Sequence, residues 1–145
     1  MTAKPVAAVV LDNEAAQALL RVEHPKHRTV LAVVVELTTR AMRGAPRVPV
    51  IVPTAVRVEA GWDRSAPAAA TANRLARSID RPLDSNAADR ASQLRALMPV
   101  SVVDACVAEA FESAPQPAAV VTSDEKDMKA LRGVSSTPGV RVIGV

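Results

Sequence analysis

Aromatic side chains are almost missing from this sequence, which holds one Phe, one Trp and no Tyr in 145 residues. Without them there is no platform of stacked rings to grip single-stranded RNA, and that mode of nucleic-acid binding is excluded. Cysteine is as scarce. A lone Cys106 and two histidines, His24 and His27, are too few for a thiolate or imidazole zinc site. They speak against a secreted disulfide scaffold and for a reducing, cytoplasmic setting. With 5 glycines and 23% charged residues, collagen-like repeats and disorder are excluded as well. The apolar run at residues 6–11 is stopped by Asp12, too early for a signal-peptide core or a membrane span.

What is present suits one globular α/β domain covering 1–145. A chain of this length buries about 70% of its unfolded surface, and hydrophobic residues make up 49% of it. Lys and Arg number 18 against 15 Asp and Glu, a formal +3, which permits a phosphate-bearing partner without requiring one. Residues 6–11 read as a strand, followed by helical spacing at Ala15, Ala16, Leu19 and Leu20. Val30, Val34, Leu37 and Ala41 form a second helical stripe, and 43–48 a turn. Residues 50–52 read as the next strand, and Pro53-Thr54 opens a helix to about Trp62. A helix is expected within 64–79, a further β/α unit at 82–84, and helices over 85–98 and 101–114. The strand at 118–122, the helix at 125–131 and a closing strand at 140–143 complete the pattern. Strands alternating with helices predict a mainly parallel sheet flanked by helices.

The residues most in need of explanation are acids in apolar surroundings. Asp12 follows AAVVL and Asp124 follows AAVVTS, so both lie at the carboxyl ends of predicted strands, the edge where open α/β folds bind ligands. Asp104 sits inside SVVDACVA and Glu59 inside VRVEAGW. A buried charge costs several kcal/mol unless it is paired or bound to metal, and a hard cation such as Mg²⁺ or Mn²⁺ is satisfied by carboxylates and water alone. Each acid also has a simpler reading. Asp12 and Asp124 suit helix N-caps, Asp104 the third position of a capping box begun by Ser101, and Glu59 a solvated helix face.

Asp12 after VVL, then VPTAVRVEAGW, RPLDSNAADRA, SVVDACVAEAF and VVTSDEKDMKAL, in this order and spacing, resemble the PIN-domain ribonucleases, in particular the VapC-type toxins of bacterial toxin-antitoxin pairs. The resemblance spans essentially the whole chain. It implies a PIN-like fold in which Asp12, Glu59, Asp104 and Asp124 converge on one or two Mg²⁺ or Mn²⁺ ions. Asp12, Asp104 and Asp124 would be the ligands, with Glu59 completing the shell or holding a water. Thr122 is implied as a nearby hydroxyl and Asp127 as a supporting acid. The chain departs from the family pattern after the first acid, where Asn13 and Glu14 leave open whether Glu14 adds charge to the pocket or faces solvent.

The activity expected is metal-assisted cleavage of RNA, because clustered carboxylates repel one another and the substrate until divalent cations neutralise them. Arg40, Arg43 and Arg47 are candidates for phosphate contacts, or simply a solvated basic face. The resemblance further implies a small antitoxin partner that brings a basic side chain to the acids, and a homodimer. Leu19, Leu20, Val34 and Leu37 supply apolar surface for either the core or a groove. Two competing readings are a non-catalytic PIN-like interaction module and a phosphoryl-accepting receiver domain using Asp12 or Asp84. The second would need a Lys at the end of the last strand, where 141–144 has none.

Overall fold

The computed structural model describes residues 5–39, 47–135 and 137–145. Its strands are β1 (Ala8–Leu11), β2 (Val50–Pro53), β3 (Ile79–Arg81), β4 (Ala118–Thr122) and β5 (Arg141–Gly144). Between β1 and β2 run α1 (Asn13–Leu20) and α2 (His27–Thr39). Helix α3 (Thr54–Ala60), a 3-10 turn (Pro67–Ala69) and α4 (Ala70–Ala76) lead to β3. Helices α5 (Ser85–Leu97) and α6 (Val102–Ser113) precede β4, and α7 (Glu125–Val134) joins β4 to β5. All four strand pairings are parallel, in the order β3-β2-β1-β4-β5.

Every residue of β1, β2 and β4 is buried, as expected where helices cover both faces of a parallel sheet. Helix α6 crosses the middle, touching β1, β2 and β4, with α5 packed on it, while α1 gathers α2, α3 and α4. The core is built from Val and Ala, with Phe111, Leu11, Leu19 and Leu94 as its largest fully buried side chains. Leu19, Val34 and Leu37 belong to that core, so within this chain they line no groove.

Two expectations are corrected. Helix α4 stops at Ala76, because Arg77 turns left-handed with φ 46°. Ile79 leaves the expected helix to pair with Ile51 as part of β3. No Gly or Pro marks that stop, and a β-branched residue gains ladder bonds that an Ala-rich periodicity hides. The third β/α unit exists, but its strand ends before Pro82, which has no N–H for the ladder. Asp84 then caps α5, accepting the Ala87 N–H at 2.9 Å. The strand order also removes the receiver reading, since receiver domains run 2-1-3-4-5.

Candidate metal centre at the carboxyl edge of the sheet

In this strand order the chain leaves β1 toward β2 on one side and later returns to β4 on the other. The crevice between the carboxyl ends of β1 and β4 is therefore the topological switch point, where open α/β sheets hold ligands. Asp12 stands there, 4% exposed. Its Oδ1 accepts the Ala15 N–H at 2.8 Å and so caps α1. Its Oδ2 accepts the Thr122 hydroxyl at 2.7 Å and the Ser123 N–H at 3.1 Å. Burial raises the Asp12 carboxyl above its ordinary range, outweighing these three bonds.

Thr122 couples the two strand ends. While its hydroxyl donates to Asp12, the same oxygen accepts the Asp124 N–H at 2.9 Å. Asp124 in turn caps α7 by accepting the Asp127 N–H at 3.2 Å. Carboxylate oxygens of Asp104, Asp124 and Asp127 lie within 4.8 Å of one another.

Asp104 enters the group from the first turn of α6, whose N-cap is Ser101, with Ser101 Oγ accepting the Asp104 N–H at 3.0 Å. Burial raises its pKa first. The charges of Asp12, Asp124 and Asp127 add to that, against the bond from Ser101. The other two acids of α6 have cationic partners. Arg81 Nε lies 2.7 Å from Glu109 Oε1, and Arg90 Nε 2.7 Å from Glu112 Oε1. Asp104 forms no ion pair among the described residues and faces acids instead. Asp127 is likewise raised, by desolvation and then by Asp124.

The structure thus draws Asp104 and Asp124 together, keeps Asp12 close enough to act on Asp104, and adds Asp127, which the sequence marked only as a supporting acid. Its signal was the i, i+3 spacing from Asp124 at a helix start. Glu59 is exposed on α3 and stands outside the group. Arg40 and Arg43 lie outside the described residues. Arg47 donates to the Leu75 carbonyl at 3.2 Å. His27 Nδ1 lies 2.7 Å from the Ala18 carbonyl, and Cys106 is buried. Three carboxylates with no nitrogen or sulfur donor among them form a set suited to a hard cation.

No protein-family model matches the sequence. No curated protein matches it either. Among solved structures the chain is similar to VapBC2 from Rickettsia felis bound to a DNA fragment from their promoter, with TM-score 0.57 and 13% identity, covering 95% of this chain and 98% of that one. It is also similar to DNA-bound VapBC from Salmonella typhimurium, with TM-score 0.56 and 18% identity over 94% of this chain and 97% of the other. At these identities the likeness is one of fold, and the fold is PIN-like.

Proposed function

We propose that this protein is a divalent-metal-dependent endoribonuclease acting as the toxin of a toxin-antitoxin pair. The observation that carries the nuclease half is the convergence of Asp104, Asp124 and Asp127 beside Asp12 at the switch point. Clustered like charges destabilise a fold, and among the described residues no Lys or Arg forms an ion pair with Asp104, Asp124 or Asp127. Asp104, Asp124 and Asp127 would hold Mg²⁺ or Mn²⁺, with Asp12 as a further ligand, direct or through water. A bound ion lowers the pKa of water and offsets charge on a phosphate. Thr122 keeps Asp12 and the start of α7 in register. Glu59 enters only as a group that would hold a water at the edge of the site.

The toxin half is supported by the fold, shared with VapBC complexes. An antitoxin of matching chemistry would bring an Arg to the acids, since its planar donors bind carboxylates bidentately and its charge competes with the ion. A homodimer and a cytoplasmic location belong to the same proposal. No described helix is long and apolar enough to cross a membrane.

The capping bonds of Asp12 and Asp124 favour a second reading, a PIN-like interaction module whose acids survive as caps. Incubating purified protein with single-stranded RNA in Mn²⁺ or in chelator separates the two. Cleavage in metal alone, lost in Asp12→Asn, Asp104→Asn and Asp124→Asn, is the expected result. Equal activity in chelator, or undiminished activity of those variants, would sink the nuclease assignment.

A further inference from the structure

Glu14 lies two residues beyond Asp12 but faces another set of partners. Its carboxylate lies in the first turn of α1, the helix that Asp12 caps. Its Oε1 lies 3.4 Å from Lys26 Nζ and 3.9 Å from His24 Nε2. Through Glu14, in the first turn of the helix that Asp12 caps, Lys26 therefore stands beside the candidate metal centre.

The connection between α1 and α2 is tied down around that cation. Backbone N–H groups of Arg21, His24 and His27 donate to the carbonyls of Gln17, Arg21 and His24. His24 Nδ1 accepts the Lys26 N–H at 3.1 Å. A partly exposed Lys–Glu pair contributes little to stability, so the fold gains little from holding it this way. Four arginines are paired elsewhere: Arg57 and Arg64 with Asp80, Arg81 with Glu109, Arg90 with Glu112. Lys126 acts on Asp127 from the exposed first turn of α7.

We propose that Lys26 is a contact for RNA phosphate at the rim of the acid group, and that Glu14 is the positioning residue that aims it. The proposal deepens the nuclease reading and rests on it for the identity of the ligand. A polyanion approaching several carboxylates needs a compensating charge beside them. An ammonium carries three donors, so Lys26 keeps its bond to Glu14 while offering others to a phosphate oxygen. Glu14, occupied by Lys26, is then no metal ligand.

Fluorescence anisotropy with a labelled mixed-sequence single-stranded RNA, in Ca²⁺ over a series of salt concentrations, tests this on the full chain. Mn²⁺ affinity is read in parallel by calorimetry, and cleavage by gel. Lys26→Ala should weaken RNA binding about fivefold, the effect of one partly exposed ion pair, and lower the salt slope by about 0.7. Mn²⁺ affinity should stay unchanged, KM should rise with kcat held, and Lys26→Arg should restore binding. In a Glu14→Gln background the same Lys26→Ala change should cost less, because an unaimed Lys has less to lose. Unchanged RNA affinity and slope in Lys26→Ala, absence of RNA binding by the wild type, or weakened Mn²⁺ binding in Glu14→Gln would each overturn the proposal. RNA binding that depends on Lys26 without any cleavage would uphold this contact and refute the nuclease reading.

Discussion

Replacing Asp104 by Asn asks whether the acid group is held together at an electrostatic cost. Its carboxylate oxygens lie within 4.8 Å of those of Asp124 and Asp127. Two unit charges at that separation repel by about 0.9 kcal/mol in a water-like medium. That medium is the right one, because Asp124 is exposed and Asp127 only partly covered. Two such neighbours make about 1.8 kcal/mol. Against this, an acid in the first turn of a helix gains about 0.3–1 kcal/mol from the helix dipole, which Asn forgoes. The variant should therefore be more stable by about 1 kcal/mol in chelator at neutral pH, or about 3–5 °C in Tm for a domain of this size.

The pH dependence has a definite sign. The folded pKa of Asp104 is raised by burial and then by its acidic neighbours, so its neutral form favours the fold. That contribution is complete below the unfolded value of about 3.9 and is lost as pH rises through the folded pKa. The advantage of Asn should accordingly vanish below about pH 3.9 and grow through the window above it. Mn²⁺ at a hundredfold its Kd would stabilise the wild type by about 2.7 kcal/mol, inverting the order. Thermal unfolding followed by circular dichroism, in chelator and in Mn²⁺ at several pH values, reads all three effects. Loss of about 0.5–2 kcal/mol in Asn, unchanged by Mn²⁺, would mean that Asp104 is a capping residue and nothing more.

Thr122→Val keeps the shape but removes the donor to Asp12 Oδ2 and the acceptor for the Asp124 N–H. It should cost about 2–3 kcal/mol in urea unfolding, whereas Thr122→Ser should cost far less; equal losses would deny the hydroxyl its role. Arg81→Met leaves Glu109, 4% exposed, without its bidentate partner. The expected loss is about 2–3 kcal/mol, below the figure for a fully buried pair because part of Arg81 remains in water, and Arg81→Met with Glu109→Leu should recover most of it.

The parts of the fold legible in the sequence are those set by local periodicity. Residues 118–122 coincide with β4, and Val30, Val34 and Leu37 of the second stripe lie on the buried face of α2, while its Ala41 lies outside the described residues. β3 is not legible in the sequence because Ile79 and Asp80 are exposed, Arg81 is half-buried, and the three carry no alternation. Only the parallel pairing with β2 makes them a strand. The same limit governs the site. Asp12 and Asp124 announce themselves by position after apolar strands, while the approach of Asp104 depends on where α6 starts relative to β4. Glu59 and Asp127 illustrate it from opposite sides. An acid within an apolar segment drew notice but stays exposed on α3, whereas one in a polar helix start joined the group.

Capping a helix and binding a metal ion are not exclusive roles for these acids. At a switch point the helices begin where the strands end, so the residue that must cap the helix also faces the crevice. Asp12 divides the work between its oxygens, Oδ1 on the Ala15 N–H and Oδ2 on Thr122 and Ser123. Asp124 spends Oδ1 on the Asp127 N–H. Both would therefore occupy their places in a protein that binds no ion. Asp104 holds the third position of a capping box whose N-cap is Ser101, but its carboxylate also lies within 4.8 Å of those of Asp124 and Asp127. Its two fellow acids on α6 are neutralised by Arg81 and Arg90. What is left is a carboxylate directed at other carboxylates, a surplus of negative charge that capping does not require and a cation would balance.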